Sequence, residues 1–325
     1  MLYVEKKFPP GLSDFGITIL IHAVCRRATE AVDHHQTPLA SWVPTANTRS
    51  RTPSRPAEET WPPSLTILSK WRNSACDSLD VLHINANSII AKGWGGEPPA
   101  VLHLHLSRLF ILTPVAPLQV LAAAASSAAR QKQRGTVDAA AARGKVLRWA
   151  IDDQYKARLA VIHSGSIFWH VRRHSADSFL EPFSVFLATL VLWAYSTSVQ
   201  FANRHNLPGA QAASAESGAA SRSVGAGTVS DRDGEEDAEP PFFHLDRPCD
   251  DEAVQAYVRI GHKITGYLSR VGDICSEGAP RRILREGRDI LLRRSRGEGG
   301  GEGFVWGVAE RYVETLGCLV QSTGE

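Results

Sequence analysis

The sequence predicts an all-α protein, an irregular multi-helix bundle with long disordered linkers. Three observations carry that expectation. Apolar residues recur at helical spacing over long stretches, as at Leu147, Ile151, Tyr155, Leu159, Ile162 and Trp169. Sustained period-two alternation, the mark of half-buried strands, is scarce. Stretches rich in Pro, Ser, Gly or acidic residues at 46–63, 204–241 and 295–303 separate the periodic segments.

From the N-terminus, "MLYVEKK" lacks an N-cap and reads like the middle of a helix, so the chain is expected to begin inside a larger protein. Pro9, Pro10 and Asp14 interrupt it before the short apolar run "GITILIHAV", and no small-residue cleavage site follows, so this is not a signal peptide. Residues 46–63, "ANTRSRTPSRPAEETWPP", form a loop. In "EPPAVLHLHLSRLFIL" proline is tolerated in a first helical turn, and Leu102, Leu106 and Leu109 supply the apolar stripe. One amphipathic helix is expected through 147–174, with Arg148, Asp152, Asp153 and Lys156 opposite its apolar side. Beyond 204, "GAQAASAESGAASRSVGAGTVS" runs into the acidic "DRDGEEDAEPP", with little apolar surface to drive folding. In "DDEAVQAYVRIGHKITGYLSRVGDI", Asp250, Asp251 and Glu252 favour a helix start, and Val254, Tyr257, Ile260, Ile264 and Leu268 form its face. Ordered material is thus expected in 11–45, 62–202 and 242–322. The organisation is a helical domain over 1–202, a disordered linker over 203–241, and a C-terminal helical segment over 242–325 that packs on the same domain and carries a flexible loop at 295–303.

Composition excludes several function classes. A chain of 325 residues can bury one large core or two modest ones. A formal charge of +2 gives no global field for nucleic acid or acidic lipid. The five cysteines Cys25, Cys76, Cys249, Cys275 and Cys318 are far apart and form no C-x-x-C pair, which removes thioredoxin-type redox and zinc-ribbon readings. Their odd number, with no N-x-S/T sequon, favours a reducing, intracellular compartment.

Residues 182–202 carry no charge and nearly reach the length of a membrane span, but Ser196, Thr197, Ser198 and Gln200 crowd one end. The strongly apolar part, Phe183 to Tyr195, suits a buried core helix better, and a membrane anchor at 182–202 is the alternative. His163, His170 and His174 share one helix face, yet "HVRRH" lacks the glutamate of H-E-x-x-H. His103 and His105, two apart, point to different sides of a helix. His103 and His105 are therefore no joint ligand pair, and His163, His170 and His174 are read as packed or solvated beside Trp169, with Arg172 and Arg173 at the surface or paired to Asp177 or Glu181. No metal ligand set is assigned.

Glycine-rich "GEGGGEG" matches no frame of G-x-G-x-x-G, "HSGSIFW" is no G-x-S-x-G elbow, and adjacent Asp152 and Asp153 project about 100° apart. No catalytic residue and no cofactor site is therefore assigned. The basic run "RRILREGRDILLRRSR", with Arg281, Arg282, Arg285, Arg288, Arg293, Arg294 and Arg296, could track phosphates. Ile283, Leu284, Ile290, Leu291 and Leu292 make it an amphipathic helix instead, and no aromatic residue interleaves to stack on bases.

Several segments resemble a known family. They are "LSDFGITILIHAVCRRA", "WRNSACDSLDVLH", "VLHLHLSRLFILTP", "GKVLRWAIDDQYKARLAVIHSGSIFWHVRRHSADSFLEPFSVFLATLVLWAYS", "FFHLDRPCDDEAVQAYVRIGHKITGYLSRVGDI" and "WGVAERYVETLGCL". Together they look like the regulatory region of fungal-specific transcription factors, the xylanolytic-activator-type regulatory domain, in the branch whose members carry C2H2 zinc fingers. The resemblance implies an all-helical, non-catalytic region of a nuclear transcription factor, with 1–202 as the regulatory domain. Partners would be protein co-regulators or a second copy of the chain, with 231–239 as a docking tail. Zinc and base-specific DNA contact would belong to a finger region, because this sequence has no C-x₂₋₄-C-x₁₂-H-x₃₋₅-H pattern. No membrane contact is implied. Under it, Pro182 opens a central buried helix, and Trp169, Phe179, Phe183 and Trp193 fill core space beside Leu106 and Tyr257.

Overall fold

The computed structural model describes residues 2–7, 11–36, 66–90, 97–127, 135–205, 242–295 and 307–323. The expected loop at 46–63, residues 206–241 of the expected linker, and 296–303 of the expected flexible loop lie outside the described residues.

The helices are α1 (Leu2–Glu5), α2 (Asp14–Gln36), α3 (Thr66–Ile90), α4 (Pro99–Leu112), α5 (Val115–Ser127), α6 (Gly135–Asp152), α7 (Gln154–Arg173), α8 (Glu181–Arg204), α9 (Asp251–Ile260), α10 (Ala279–Ser295) and α11 (Gly307–Ser322). The class is all-α. A small sheet interrupts it: β1 (Phe242–His244) runs parallel to β2 (Thr265–Leu268), and β2 pairs antiparallel with β3 (Gly272–Asp273).

Two apolar clusters organise the helices, and α4 belongs to both. One face of α4, with Val101, Leu104 and Ile111, packs with Ile17, Ile21 and Val24 of α2 and Leu79 and Leu82 of α3. Its other face, with Leu102, Leu106, Leu109 and Leu112, joins the larger cluster around α8. Pro114 follows the end of α4, and α5 leaves α4 at 90°. Fully buried Trp149 of α6 closes that corner by donating from Nε1 to the Leu112 carbonyl at 2.8 Å.

α8 lies at the centre of the larger cluster, packed by α6, α7, α10 and α11. Pro182 sits in its first turn as expected, and the helix is apolar because nearly all its sides meet protein. Length and composition alone would let α8 span a membrane, but most of its apolar stretch lies inside the protein. The polar end has a structural use. Ser196 donates to the carbonyl of Ile274, and Gln200 Nε2 donates to that of Ser276 at 2.6 Å, so these groups hold the loop before α10. At the other end, buried Glu181 accepts from Ser175 Oγ and from the backbone N–H of Ala176 and Ser178, which folds the α7–α8 turn onto the helix start.

Four expectations need correction. The helix expected through 147–174 is two helices, broken at Asp153 (φ −106°, ψ 38°), whose carboxylate takes Arg72 of α3 at 2.6 Å. Of the expected stripe on α7, Ile162 is buried and Leu159 packs against the larger cluster, but Tyr155 is exposed, and burial extends round the helix through Ala157, Ala160, Val161, Ser164, Phe168 and Val171. The helix expected to run from Asp250 to Leu268 ends at Ile260, which is exposed. Asp250 caps it by accepting from Ala253 N at 2.7 Å, and Ile264 leads into β2. Buried Arg158 of α7 donates to the Val258 carbonyl at 2.9 Å, so a cation meets the negative end of α9.

The core list is also amended. Leu106 and Tyr257 are buried, whereas Trp169, Phe183 and Trp193 are half-buried. Phe183 and Trp193 pack against the larger cluster; Trp169 lies at its rim beneath the Arg173 guanidinium, 5.1 Å away. Phe179 is 65% exposed, because it sits in the turn before α8 rather than on a packed face. Finally, Arg172 pairs neither with Asp177 nor with Glu181: it meets Asp246, after β1, and Glu286 of α10.

Candidate functional site

The densest cluster of titratable side chains follows α4, where "HLHLSR" presents alternate residues to different neighbours. His103 faces α2, and its Nδ1 stands 2.8 Å from Nε2 of His22. His105 faces α7, and its Nδ1 is 3.1 Å from Nδ1 of buried His163. His83 of α3 completes this group, its ring edge-on to His105 with centroids 5.5 Å apart. Two turns further along α7, buried His170 bonds Glu97, just before α4, at 2.9 Å. Six histidines thus stand at contacts joining α2, α3, α4 and α7.

Burial sets their electrostatics. Loss of water pushes His83 down to about 4, helped by the Arg108 cation, and pushes His103 down to about 4, helped by His22. Burial holds His105 and His163 well below the usual imidazole range. Arg108 itself is buried and paired to Asp80 of α3. An N···N contact is a hydrogen bond only when one ring nitrogen carries a proton and the other does not, so each imidazole pair excludes the doubly charged state.

The expected face of His163, His170 and His174 is not one chemical group. His163 turns to His105 and His170 to Glu97, while the His174 ring lies 5.9 Å from that of His170. Among the described residues no set of three or more His, Cys, Asp or Glu side chains is arranged to hold a metal ion. The serines beside His163 bond the backbone: Ser164 donates to Ala160 O at 2.8 Å and Ser166 to Ile162 O at 3.1 Å. Sequence reasoning placed His103 and His105 on different sides correctly but missed His22, His83 and Glu97. These reach the cluster only through the packing of α2 and α3, which no spacing within α4 or α7 reveals.

The basic run on α10 divides by role. Arg281, Arg285, Arg288 and Arg293 are exposed, and Ile283, Leu284, Ile290 and Leu291 are buried as expected. Arg282 turns inward, donating to Val271 O at 2.8 Å and Ser276 Oγ at 2.6 Å. The side chain of Arg294, and Arg296, lie outside the described residues. Glu286, on the same helix, is buried between Arg172 and the more distant Arg270. The five cysteines are free, and burial pushes the Cys275 thiol up to about 12. No family model, curated protein or solved structure matches the chain.

Proposed function

We propose that the chain is a non-catalytic regulatory and interaction region of a fungal RNA polymerase II transcription factor. It acts in the nucleus on DNA-templated transcription, through protein co-regulators or a second copy of itself. DNA contact, and the zinc it needs, belong to a finger region that this sequence does not contain. The reading rests on the ordered series of segments that resemble that regulatory domain. One structural observation favours it over a membrane anchor at 182–202. The one described helix long and apolar enough to cross a bilayer is enclosed by its neighbours, and its polar end is spent on carbonyls of the loop before α10.

The test is to fuse the full chain to an unrelated zinc-finger DNA-binding domain and read a reporter gene that carries its site. A nuclear fusion that changes reporter output several-fold in either direction is expected. Unchanged output from a folded, nuclear fusion overturns the regulatory reading. Carbonate-resistant pelleting with membranes overturns it in favour of the anchor.

A further inference from the structure

The histidine cluster occupies a layer boundary at which α2 and α3 meet the rest of the protein, beside the Arg72–Asp153 ion pair that also crosses from α3. The buried apolar partners of α2 and α3 are mainly each other and one face of α4, with Cys76 of α3 reaching the larger cluster that α8 and its neighbours form. Across that boundary lie His22 against His103 and His83 against His105, with His163 directly behind on α7. We propose that this boundary is a pH-sensitive joint, in which acidification charges His83 and His103 and releases the α2–α3 layer from α4 while the cluster around α8 stays folded.

The charged surroundings decide the direction. The Arg108 cation opposes a positive charge on both His83 and His105, and the imidazoles of His163, His83 and His170 oppose it at His105 as well. His22 from α2 and His170 from α7 oppose it at His103. Two acids act the other way on His83: Glu97, which is bonded to His170, and Asp251 of α9. Asp80 is committed to Arg108. Cys25 of α2, bonded to Ser107 of α4, is held protonated by burial and supplies no countercharge.

The sign follows from linkage. Above the ordinary imidazole value of about 6.5 both closed and released states are neutral, and the histidines impose no bias. As pH falls from there towards 4, the hydrated rings of the released state take protons that the closed state refuses. With native values of about 4, His83 and His103 each favour release by about 30-fold at pH 5. Together they favour it by nearly a thousandfold.

Amide hydrogen exchange of the full chain, corrected for the intrinsic pH dependence of exchange, tests the joint. Between pH 7.5 and 5, α2 and α3 are expected to lose protection while α8 and α10 keep theirs. The double variant His83→Asn/His103→Asn, which retains polar groups but cannot take a proton, is expected to lose most of that pH response. Equal pH responses in wild type and variant, or α8 losing protection together with α2, overturn the proposal. If the variant does not fold at pH 7.5, ring resonances of wild-type His83 and His103 give the same answer. Charging only as α2 and α3 open supports the joint; charging near pH 6.5 with both helices still protected overturns it.

Discussion

Gly287 of α10 lies so close to Thr189 of α8 that a β-carbon on the glycine would stand 2.1 Å from the threonine hydroxyl oxygen. It would also stand 2.5 Å from Thr189 Cγ2 and 2.8 Å from its Cβ, so rotating the threonine cannot clear the space. This contact joins the apolar central helix to the basic amphipathic helix of the C-terminal segment. A second of the same kind joins α7 to the turn after β1, where a β-carbon on Gly165 would meet the Leu245 carbonyl oxygen at 2.2 Å. Two glycines in helix interiors, each costing about 1 kcal/mol relative to alanine, are thus retained for close approach of the two parts of the chain.

Gly287→Ala should therefore destabilise the protein although alanine is the better helix former. Overpacking of a tight contact costs roughly 1–3 kcal/mol, which outweighs the propensity gain. Urea unfolding should show a lower midpoint for Gly287→Ala, and adding Thr189→Gly should recover part of the loss. A midpoint at or above wild type for the single variant would mean that α8 and α10 are not this close.

The link between α7 and the C-terminal segment is also ionic. Asp246 is fully buried, pairs with Arg172, and accepts from Ser269 N at 3.1 Å and Ser269 Oγ at 3.0 Å. Arg172 also donates to Glu286 at 3.0 Å. Removing one member of a buried pair typically costs about 3–5 kcal/mol, because the partner remains desolvated. Asp246→Ala should lose stability on that scale and Asp246→Asn clearly less, since the amide oxygen still accepts from Ser269. Equal losses in the two variants, measured by urea unfolding, would show that the serine bonds contribute nothing.

The helices and their turns were legible where local chemistry decides them. The α4 stripe of Leu102, Leu106 and Leu109 is buried, Pro182 starts α8, and α10 is amphipathic with its arginines mostly outward. Periodicity failed on α7 because that helix is enclosed on most sides, so its apolar positions carry little directional signal. It failed again at 261–268, where Ile264 and Leu268 fit a helical face as well as a short strand. The choice there is made by pairing with Phe242–His244, far away in sequence. The partners of Arg172 and of the α4 histidines are tertiary for the same reason. Nothing within ten residues of Arg172 names Asp246 or Glu286.

Tryptophan substitutions separate two kinds of indole. Trp149 is fully buried and its Nε1 donates to the Leu112 carbonyl at the end of α4. Trp193 is half-buried, and its Nε1, though shielded from water, makes no hydrogen bond among the described residues. Trp149→Phe therefore loses a buried bond and strands a carbonyl, at a cost of about 1–3 kcal/mol beyond the lost ring volume. Trp193→Phe removes an unpaired donor and should cost little. Truncation should rank the same way: Trp149→Ala at about 3–5 kcal/mol, Trp193→Ala less, and exposed Phe179→Ala within about 0.5 kcal/mol of wild type. Urea midpoints of the five variants check the order. A Trp193→Phe loss as large as that of Trp149→Phe would mean that the Trp193 indole has a partner, and that the two ends of the core are held alike.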